Sequence, residues 1–152
     1  LNDASVQQGL MTRLLRIDMW VDERHAIEYR CDGLIVATPV GSTAYSLSVG
    51  GPIVTPDLNA FIIAPIAPHT LTNRPVVAGQ HQILKFGFRS GAKEMALVFD
   101  GNEKIQLKEH STFQIEAAEQ TFPLVSHGKR SFYYLLRQKL GWGEKPAYTE
   151  EH

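Results

Sequence analysis

The sequence has very little cysteine, no excess of charge of either sign and no long apolar run. Cys31 is its only cysteine, which excludes an internal disulfide framework and a multi-thiolate zinc site and is typical of a reducing compartment. Fifteen lysines and arginines oppose sixteen aspartates and glutamates, so no polybasic surface is available for nucleic acid or an anionic membrane. No stretch approaches ~18 uninterrupted apolar residues. We therefore expect a soluble, cytoplasmic protein without nucleic-acid or membrane partners.

Several motifs with well-known chemistry are also missing. The six histidines include no H-x-x-x-H or H-E-x-x-H spacing, so we expect no metal ligands among them, and His81, His110 and His127 are assigned solvated or structural roles. No lysine follows Gly41 as it would in a G-x-x-x-x-G-K-[ST] phosphate loop, and no G-x-S-x-G elbow occurs. Zinc chemistry, a phosphate loop and a serine elbow are therefore not expected.

What the sequence does have is the composition of one ordinary globular domain. Its 152 residues are 43% hydrophobic and 20% charged, which allows a core and argues against a disordered chain. The chain begins at Leu1 without an initiator methionine, so we expect a fragment of a longer protein. Glu150–His152 are compatible with native residues or with a truncated affinity tag and receive no functional weight.

Alternation of apolar and polar residues predicts an antiparallel hairpin near the start of the chain. Leu15–Val21 alternates over its whole length, with Asp18 on the polar side. Asp22–Arg24 then separates it from a second alternating run, Ile27–Cys31. Cys31 should point inward as a small core residue.

Further short runs extend this pattern and predict a mainly β fold. Turn residues at Ser90-Gly91 and Asp100–Asn102 separate them, a spacing typical of a sandwich or barrel. The continuous apolar runs Leu34–Ala37 and Phe61–Ala64 should be central strands, buried on both faces. We expect a β-sandwich domain over residues 1–131. Its other alternating runs are Leu84–Phe88, Leu97–Phe99, Ile105–Leu107 and Phe113–Ala117.

The end of the chain has the pattern of an amphipathic helix. Apolar residues recur at helical spacing from Phe132 to Leu140, after a possible Ser131 N-cap and before Gly141 as a stop signal. The apolar surface is large for a helix at the edge of a sandwich. We expect residues 132–152 to form a helix and tail that pack toward a domain outside this sequence.

Small residues crowd together between positions 32 and 52, which read DGLIVATPVGSTAYSLSVGGP. Thr38–Gly41 should leave a buried strand through a tight turn, and Ser42 or Thr43 should cap a short helix over Ala44–Val49. Backbone N–H groups and hydroxyls gathered in this way suit an anionic or hydroxyl-rich ligand.

Local features alone leave two interpretations of this segment equally open. The small residues either permit close packing of a turn on a sheet or form a ligand site. Tyr45, in the short helix, is likewise compatible with a core anchor and with a platform for a base or nicotinamide ring.

The segment closely resembles the signature of NAD kinases, commonly written D-G-[LV]-[IL]-x-[SA]-T-P-T-G-S-T-A-Y-x-x-S-A-G-G-P. Other elements follow in the order that this family uses, so the resemblance spans nearly the whole chain. Two residues depart from the family pattern: Val40 replaces Thr or Ser, which removes one hydroxyl, and Asp3 replaces the commoner Glu. The further matching elements are Asn2-Asp3 (N-[ED]), Ile63–His69 (I-x-P-I-x-P-H), Asn73–Pro75 ([NS]-[RS]-P), Asp100-Gly101 (D-G-[QN]) and the terminal helix Phe132–Trp142.

The resemblance implies an enzyme that transfers a phosphoryl group from ATP, or from polyphosphate in some members, to the 2'-hydroxyl of the adenosine ribose of NAD, assisted by Mg²⁺. It assigns Asn2 and Asp3 to the adenosine side and Tyr45 to stacking on a base. Arg30 matches a position that reaches a neighbouring subunit's site, which implies a homodimer or homotetramer. The residues assigned to NAD are Asn2, Asp3, Arg30, Asp32, Thr43, Ala44, Tyr45, Ser48, Ala67 and His69, with Gly41, Ser42, Asp100 and Gly101 as further candidates for the site lining.

Three of these assignments compete with structural roles. Asp32 is also typical of a turn, and His69 of a structural loop; for both, the resemblance favours binding. Asp100-Gly101 is equally typical of a hairpin turn, and the two interpretations stay balanced.

The resemblance assigns no catalytic residue to this chain. The family's G-G-D-G motif, whose aspartate is the general base, does not occur in these residues and is expected in an N-terminal α/β domain upstream. The chain would supply only acceptor positioning, so we expect it to be inactive alone. Two alternatives stay open: a related lipid kinase of the diacylglycerol type, and a non-catalytic nucleotide-binding module.

Overall fold

The computed structural model describes residues 1–9, 14–70, 72–90, 95–123, 125, 128 and 130–143. The expectations for Gly91, His127 and Glu150–His152 lie outside these residues. The chain divides into two compact units, Leu1–Ala118 and Glu119–His152. All strands of the described residues belong to the first unit: β1 Asp3–Gln8, β2 Leu15–Val21, β3 Arg24–Cys31, β4 Gly33–Ala37, β5 Ala60–Ile66, β6 Val76–Gly79, β7 Leu84–Ser90, β8 Met95–Phe99, β9 Glu103–Leu107 and β10 Thr112–Ile115.

These strands form two antiparallel sheets that share one core, which confirms the predicted mainly β sandwich. The six-stranded sheet has the order β6-β5-β4-β1-β8-β9, and the four-stranded sheet has the order β10-β7-β2-β3. Val6 and Leu34 of the first sheet and Ile17 and Phe86 of the second belong to one buried cluster. The alternating strands therefore bury one face each between the sheets.

The predicted central strands are confirmed, and two strands were not predicted. Every residue of β4 is buried, and its two faces contribute to different apolar clusters: Leu34 lies in the core between the sheets, whereas Ile35 packs with Val54 on the opposite face. β5 is buried in the same way next to it. The unpredicted strands are β1, which lies at the centre of its sheet, and the edge strand β6.

The predicted hairpin is confirmed as β2–β3, with one correction on its outer face. The chain turns at Asp22 and Glu23, which both have positive φ (48° and 67°), as a tight two-residue hairpin requires. Cys31 is fully buried, as expected. Asp18, placed on the solvent side by alternation, is only 2% exposed. Its neighbours on that face cover it, because Arg89 and His25 both bind its carboxylate.

The helices follow the sequence pattern closely at the end of the chain and less closely in the middle. In the second unit, α2 spans Phe132–Leu140; the Ser131 hydroxyl accepts a hydrogen bond from the Tyr134 N–H at 3.1 Å, and Gly141 ends the helix in the left-handed region. In the first unit, a 3-10 turn at Val40–Thr43 leads into the single-turn helix α1, Tyr45–Ser48. Neither helix has the length and apolarity that a bilayer span requires.

Candidate functional site

Three segments that lie far apart in the sequence meet at one end of the six-stranded sheet. β1 begins there, while its antiparallel neighbours β4 and β8 end there, with Asp3 opposite Ala37 and Ala4 opposite Phe99. The residues just outside these strands are therefore brought together. They are Asn2 before β1, Thr38 after β4 and Asp100 after β8.

Asp100 binds the start of β1 through both its backbone and its side chain. Its Oδ1 accepts hydrogen bonds from the Asn2 N–H at 2.6 Å and from the Asp3 N–H at 3.1 Å. Its own N–H donates to the Asp3 carbonyl at 3.1 Å. The structure thus brings together two elements of the resemblance, Asn2-Asp3 and Asp100-Gly101.

Thr38 and Gly41 hold the following turn against the same segment. The Thr38 N–H donates to the Asn2 carbonyl at 2.8 Å, and the Thr38 hydroxyl donates to the Leu1 carbonyl at 2.9 Å. The same hydroxyl accepts from the Gly41 N–H at 3.1 Å. A Cβ on Gly41 would lie 1.9 Å from the Asn2 carbonyl oxygen, so only glycine permits this approach. Sequence reasoning did not single out Thr38, although a hydroxyl residue directly after a buried strand is a usable signal.

The expectation that Ser42 or Thr43 caps the short helix is wrong. The N-cap residue of α1 is Ala44, and no side chain of Ser42 or Thr43 caps that helix. The Ser42 hydroxyl is instead fully buried, and it donates to the Val54 carbonyl and accepts from the Val54 N–H, both at 3.1 Å. Ser42 therefore fastens the segment to the chain that follows α1.

The side chains of α1 differ in their access to solvent. Tyr45 is 38% exposed, so its ring is not a core anchor. Ser48 is also exposed, whereas Thr43 and Ala44 are half-buried. Within the described residues the Ser46 hydroxyl is buried without a hydrogen-bond partner, beneath Gly51. The exposed tyrosine is the group of this helix best suited to contact a planar ligand.

A second group of predicted site residues lies at the opposite end of β4. The His69 N–H donates to the Arg30 carbonyl at 2.8 Å, and the His69 Nε2 lies 3.8 Å from the Asp32 Oδ1. Ala67, the first residue after β5, has a φ of 44°. Because β4 has five residues, about 17 Å separates this group from Asn2-Asp3. The structure therefore does not bring all of the predicted residues to one point.

The two groups of residues differ in charge: Asp3 and Asp100 make the first one acidic, whereas the second combines the cation Arg30 with Asp32 and His69. The first group is acidic: burial, and then the nearby charge of Asp100, raise the pKa of the Asp3 carboxyl. In the second group the Glu28 carboxylate orients Arg30, whose Nε donates to it at 2.9 Å. Cys31, next to Arg30 in the chain, is fully buried, and burial raises the pKa of its thiol to about 12. We therefore assign no nucleophilic role to this thiol. In the described ranges, no three His, Cys, Asp or Glu side chains are grouped to hold a metal ion.

A family model and individual curated proteins match this chain to the same family. The family model for the ATP-NAD kinase C-terminal domain matches residues 1–127. The NAD kinase of Trichlorobacter lovleyi is 40% identical over 146 residues, which are 95% of this chain and 51% of that protein. The NAD kinase of Solibacter usitatus is 40% identical over 145 residues, again 95% of this chain and 50% of that protein. The chain thus spans about half the length of the curated relatives it matches.

Two solved structures share the fold. An NAD kinase from Archaeoglobus fulgidus in complex with ATP has a TM-score of 0.70 and 32% sequence identity, over 78% of this chain and 45% of that one. A yeast NADH kinase complexed with NADH has a TM-score of 0.75 and 25% identity, over 98% of this chain and 46% of that one.

Proposed function

This chain belongs to the ATP-NAD kinase C-terminal domain family, and we propose from this membership that it is the NAD-binding domain of an NAD kinase. Such an enzyme transfers a phosphoryl group from ATP, or from polyphosphate, to the 2'-hydroxyl of the adenosine ribose. The observation that carries the proposal is the meeting of Asn2-Asp3, Asp100 and the turn at Thr38–Gly41 at one end of the sheet. A dinucleotide requires such fixed polar groups beside a stacking surface.

Asn2 and Asp3 bind the adenosine ribose in this proposal, and the segment around Tyr45 binds the bases. Ribose hydroxyls are recognised by acceptors, and the Asp3 carboxylate is an acceptor set in a largely buried position. Thr43, Ala44 and Ser48 lie close to Tyr45 in the chain, and the proposal assigns them to the wall beside the base. Small side chains at these positions allow a planar ligand to approach the helix closely.

Arg30, Asp32, Ala67 and His69 serve the dinucleotide bound by a neighbouring copy of the chain. Their separation from Asn2-Asp3 along β4 supports this assignment, because groups at opposite ends of one strand are poorly placed for the same ribose. The enzyme is then a homodimer or homotetramer. A chain that sediments as a monomer with NAD bound would contradict the assignment.

Magnesium neutralises charge on the transferred phosphates in enzymes of this reaction class. The described residues do not form a magnesium site of their own, because no three suitable side chains are grouped. We therefore assign none of them to Mg²⁺. Their contribution to the reaction is to bind and orient the acceptor.

Calorimetry with NAD tests the proposal directly. We expect the chain to bind NAD, and to bind nicotinamide mononucleotide, which lacks the adenosine, much more weakly. Diacylglycerol in mixed micelles is the control ligand for a lipid kinase. Binding of the lipid without binding of NAD would overturn the proposal.

Replacing Tyr45 with alanine is expected to raise the Kd for NAD about tenfold, since aromatic stacking contributes ~1–3 kcal/mol per base. The ring is partly exposed and its loss leaves no core cavity, so stability should change little. Tyr45→Phe keeps the ring and should bind nearly as well as the original chain. An unchanged Kd for Tyr45→Ala would exclude the stacking role.

The 152 residues alone are expected to form no NADP from NAD and ATP. They contain no G-G-D-G motif and supply only acceptor positioning. The assay follows NADP with an NADP-specific dehydrogenase across a gel-filtration profile, which separates the chain from any host kinase. A full-length curated relative is the positive control. NADP formation that coelutes with the chain would show that the prediction is wrong.

A further inference from the structure

We propose that Asp100 is a positioning residue that fixes the Asn2–Asp3 segment for the dinucleotide, an inference that rests on the proposed function. Asp100 acts through Asn2 and Asp3 and does not itself bind the ligand. Its Oδ1 accepts hydrogen bonds from two backbone N–H groups. Its role is to place the two neighbouring side chains.

The hydrogen bonds of Asp100 extend the pairing of β1 with β8 by one residue on each strand. β1 and β8 pair up to Ala4 and Phe99, so the next residues along, Asp3 and Asp100, would continue the ladder. The Asp100 N–H donates to the Asp3 carbonyl as a strand residue would. The backbone of Asp100 turns away with a φ of 47°, and its Oδ1 accepts from the Asp3 N–H in place of a strand carbonyl.

The same oxygen reaches one residue further and also fixes Asn2. Its distance to the Asn2 nitrogen is 2.6 Å, the shorter of the two contacts. The Asn2 carbonyl is held from the other side by the Thr38 N–H at 2.8 Å. Every backbone N–H and C=O of Asn2 and Asp3 is therefore hydrogen-bonded, and three of these four groups bind Asp100.

The side chains of Asn2 and Asp3 depend on this backbone for their position. Neither side chain forms a hydrogen bond with another of the described residues. Among the described residues they are thus placed only by the main chain that carries them. This dependence distinguishes Asp100 from an ordinary hairpin residue, because a hairpin needs no contact with residues 97 and 98 positions away.

The chain offers a matched control in its other tight hairpin. Asp22 also has a positive φ, 48°; its Oδ1 accepts from the Ile83 N–H at 3.0 Å, and its N–H donates to the Ile83 carbonyl at 3.1 Å. Asp22→Gly therefore removes the same kind of contact at a site without predicted ligand residues. Glycine is suitable at both positions because it tolerates positive φ.

The experiment measures NAD binding by calorimetry for Asp100→Gly, Asp100→Asn and Asp22→Gly. Asp100→Gly removes the acceptor and should raise the Kd about tenfold. Asp100→Asn keeps an acceptor oxygen and should restore binding to within about threefold. Asp22→Gly should leave the Kd unchanged. Equal losses for Asp100→Gly and Asp22→Gly, or no rescue by asparagine, would overturn the positioning role.

Amide hydrogen exchange at Asp3 gives a second readout that needs no ligand. In the unaltered chain this N–H should be protected, and Asp100→Gly should remove the protection whereas Asp22→Gly should not. An Asp3 amide that stays protected in Asp100→Gly would overturn the inference. Failure of the unaltered chain to bind NAD would instead count against the proposed function, and the exchange result would still decide the role of Asp100.

Discussion

Replacing Gly41 with alanine is expected to weaken NAD binding about a hundredfold, the effect of losing about two hydrogen bonds, those of Asn2 and Asp3, at about 1.4 kcal/mol each. An alanine Cβ would lie 1.9 Å from the Asn2 carbonyl oxygen and 2.4 Å from its carbonyl carbon. Both are backbone atoms, so neither can rotate away, and the turn and the start of β1 must separate. The substitution thus displaces Asn2 without removing any group that contacts the ligand.

Stability should also fall, but this effect alone cannot explain the loss of binding. Inserting a methyl group into a closely packed site costs about 1–3 kcal/mol. The matched control is Gly50→Ala in the same segment. Gly50 has a φ of 83°, and an alanine Cβ there would meet no atom of the described residues within 4 Å, so the substitution is strained but displaces nothing. We expect Gly50→Ala to lose stability and to keep its affinity for NAD.

Calorimetry and thermal unfolding of the two variants separate these effects. The expected pattern is a similar fall in the free energy of unfolding for both variants, with loss of NAD binding only for Gly41→Ala. If Gly41→Ala binds NAD as well as Gly50→Ala does, the contact between the turn and Asn2 does not shape the site.

Much of the sandwich could be predicted because most of its strands bury one face. The alternation in Leu15–Val21 and its hairpin partner reproduces β2 and most of β3. β1 could not be found in this way. Asp3 and Ser5 are buried on the face opposite Ala4 and Val6, so polar residues occupy positions that a pattern of apolar residues does not reveal.

The sequence names candidate site residues, which stay predictions, but it does not specify how they are arranged. The spacing within residues 32–52 places a turn and a short helix to within about two residues, because these are local features. The contact of Asp100 with Asn2 depends on the pairing of β1 with β8, across more than ninety residues, and no local pattern specifies that register. Sequence alone leaves the hairpin and site interpretations of Asp100 balanced for this reason, and the structure combines a turn with a contact to Asn2 and Asp3.

The incorrect cap prediction has a similar cause. A serine before a short helix is a good N-cap when its hydroxyl has no other partner. The Ser42 hydroxyl instead pairs with both backbone groups of Val54, twelve residues later. Two hydrogen bonds in a fully buried position outweigh one cap bond at a helix end.

Replacing Asp18 with alanine is expected to lower the free energy of unfolding by about 2–3 kcal/mol, the cost of losing hydrogen bonds to a charged group in a buried position. The Asp18 carboxylate binds the His25 Nε2 at 2.9 Å and also accepts a hydrogen bond from the Arg89 Nε. It joins β2, β3 and β7 on the outer face of the four-stranded sheet. Its removal leaves a basic arginine and a histidine without their shared partner.

Asp57→Ala is the matched control, because Asp57 is exposed and its side chain forms no hydrogen bond or ion pair with another of the described residues. This variant should change stability by less than about 0.5 kcal/mol. Urea unfolding at neutral pH measures both variants. Equal stability of Asp18→Ala and Asp57→Ala would show that the contacts of Asp18 with His25 and Arg89 do not stabilise the sheet.

The pH dependence of unfolding is a second test of the contacts that Asp18 makes with Arg89 and His25. Burial alone would raise the pKa of the Asp18 carboxyl, but the hydrogen bonds and charges of Arg89 and His25 outweigh burial and hold the pKa below its ordinary value. A carboxyl whose pKa is lower in the folded state contributes stability above its unfolded pKa, about 3.9, and loses it as the pH falls through the folded pKa. The unaltered chain should therefore lose stability below about pH 4 more steeply than Asp18→Ala does. Parallel acid profiles for the two proteins would contradict a lowered pKa at Asp18.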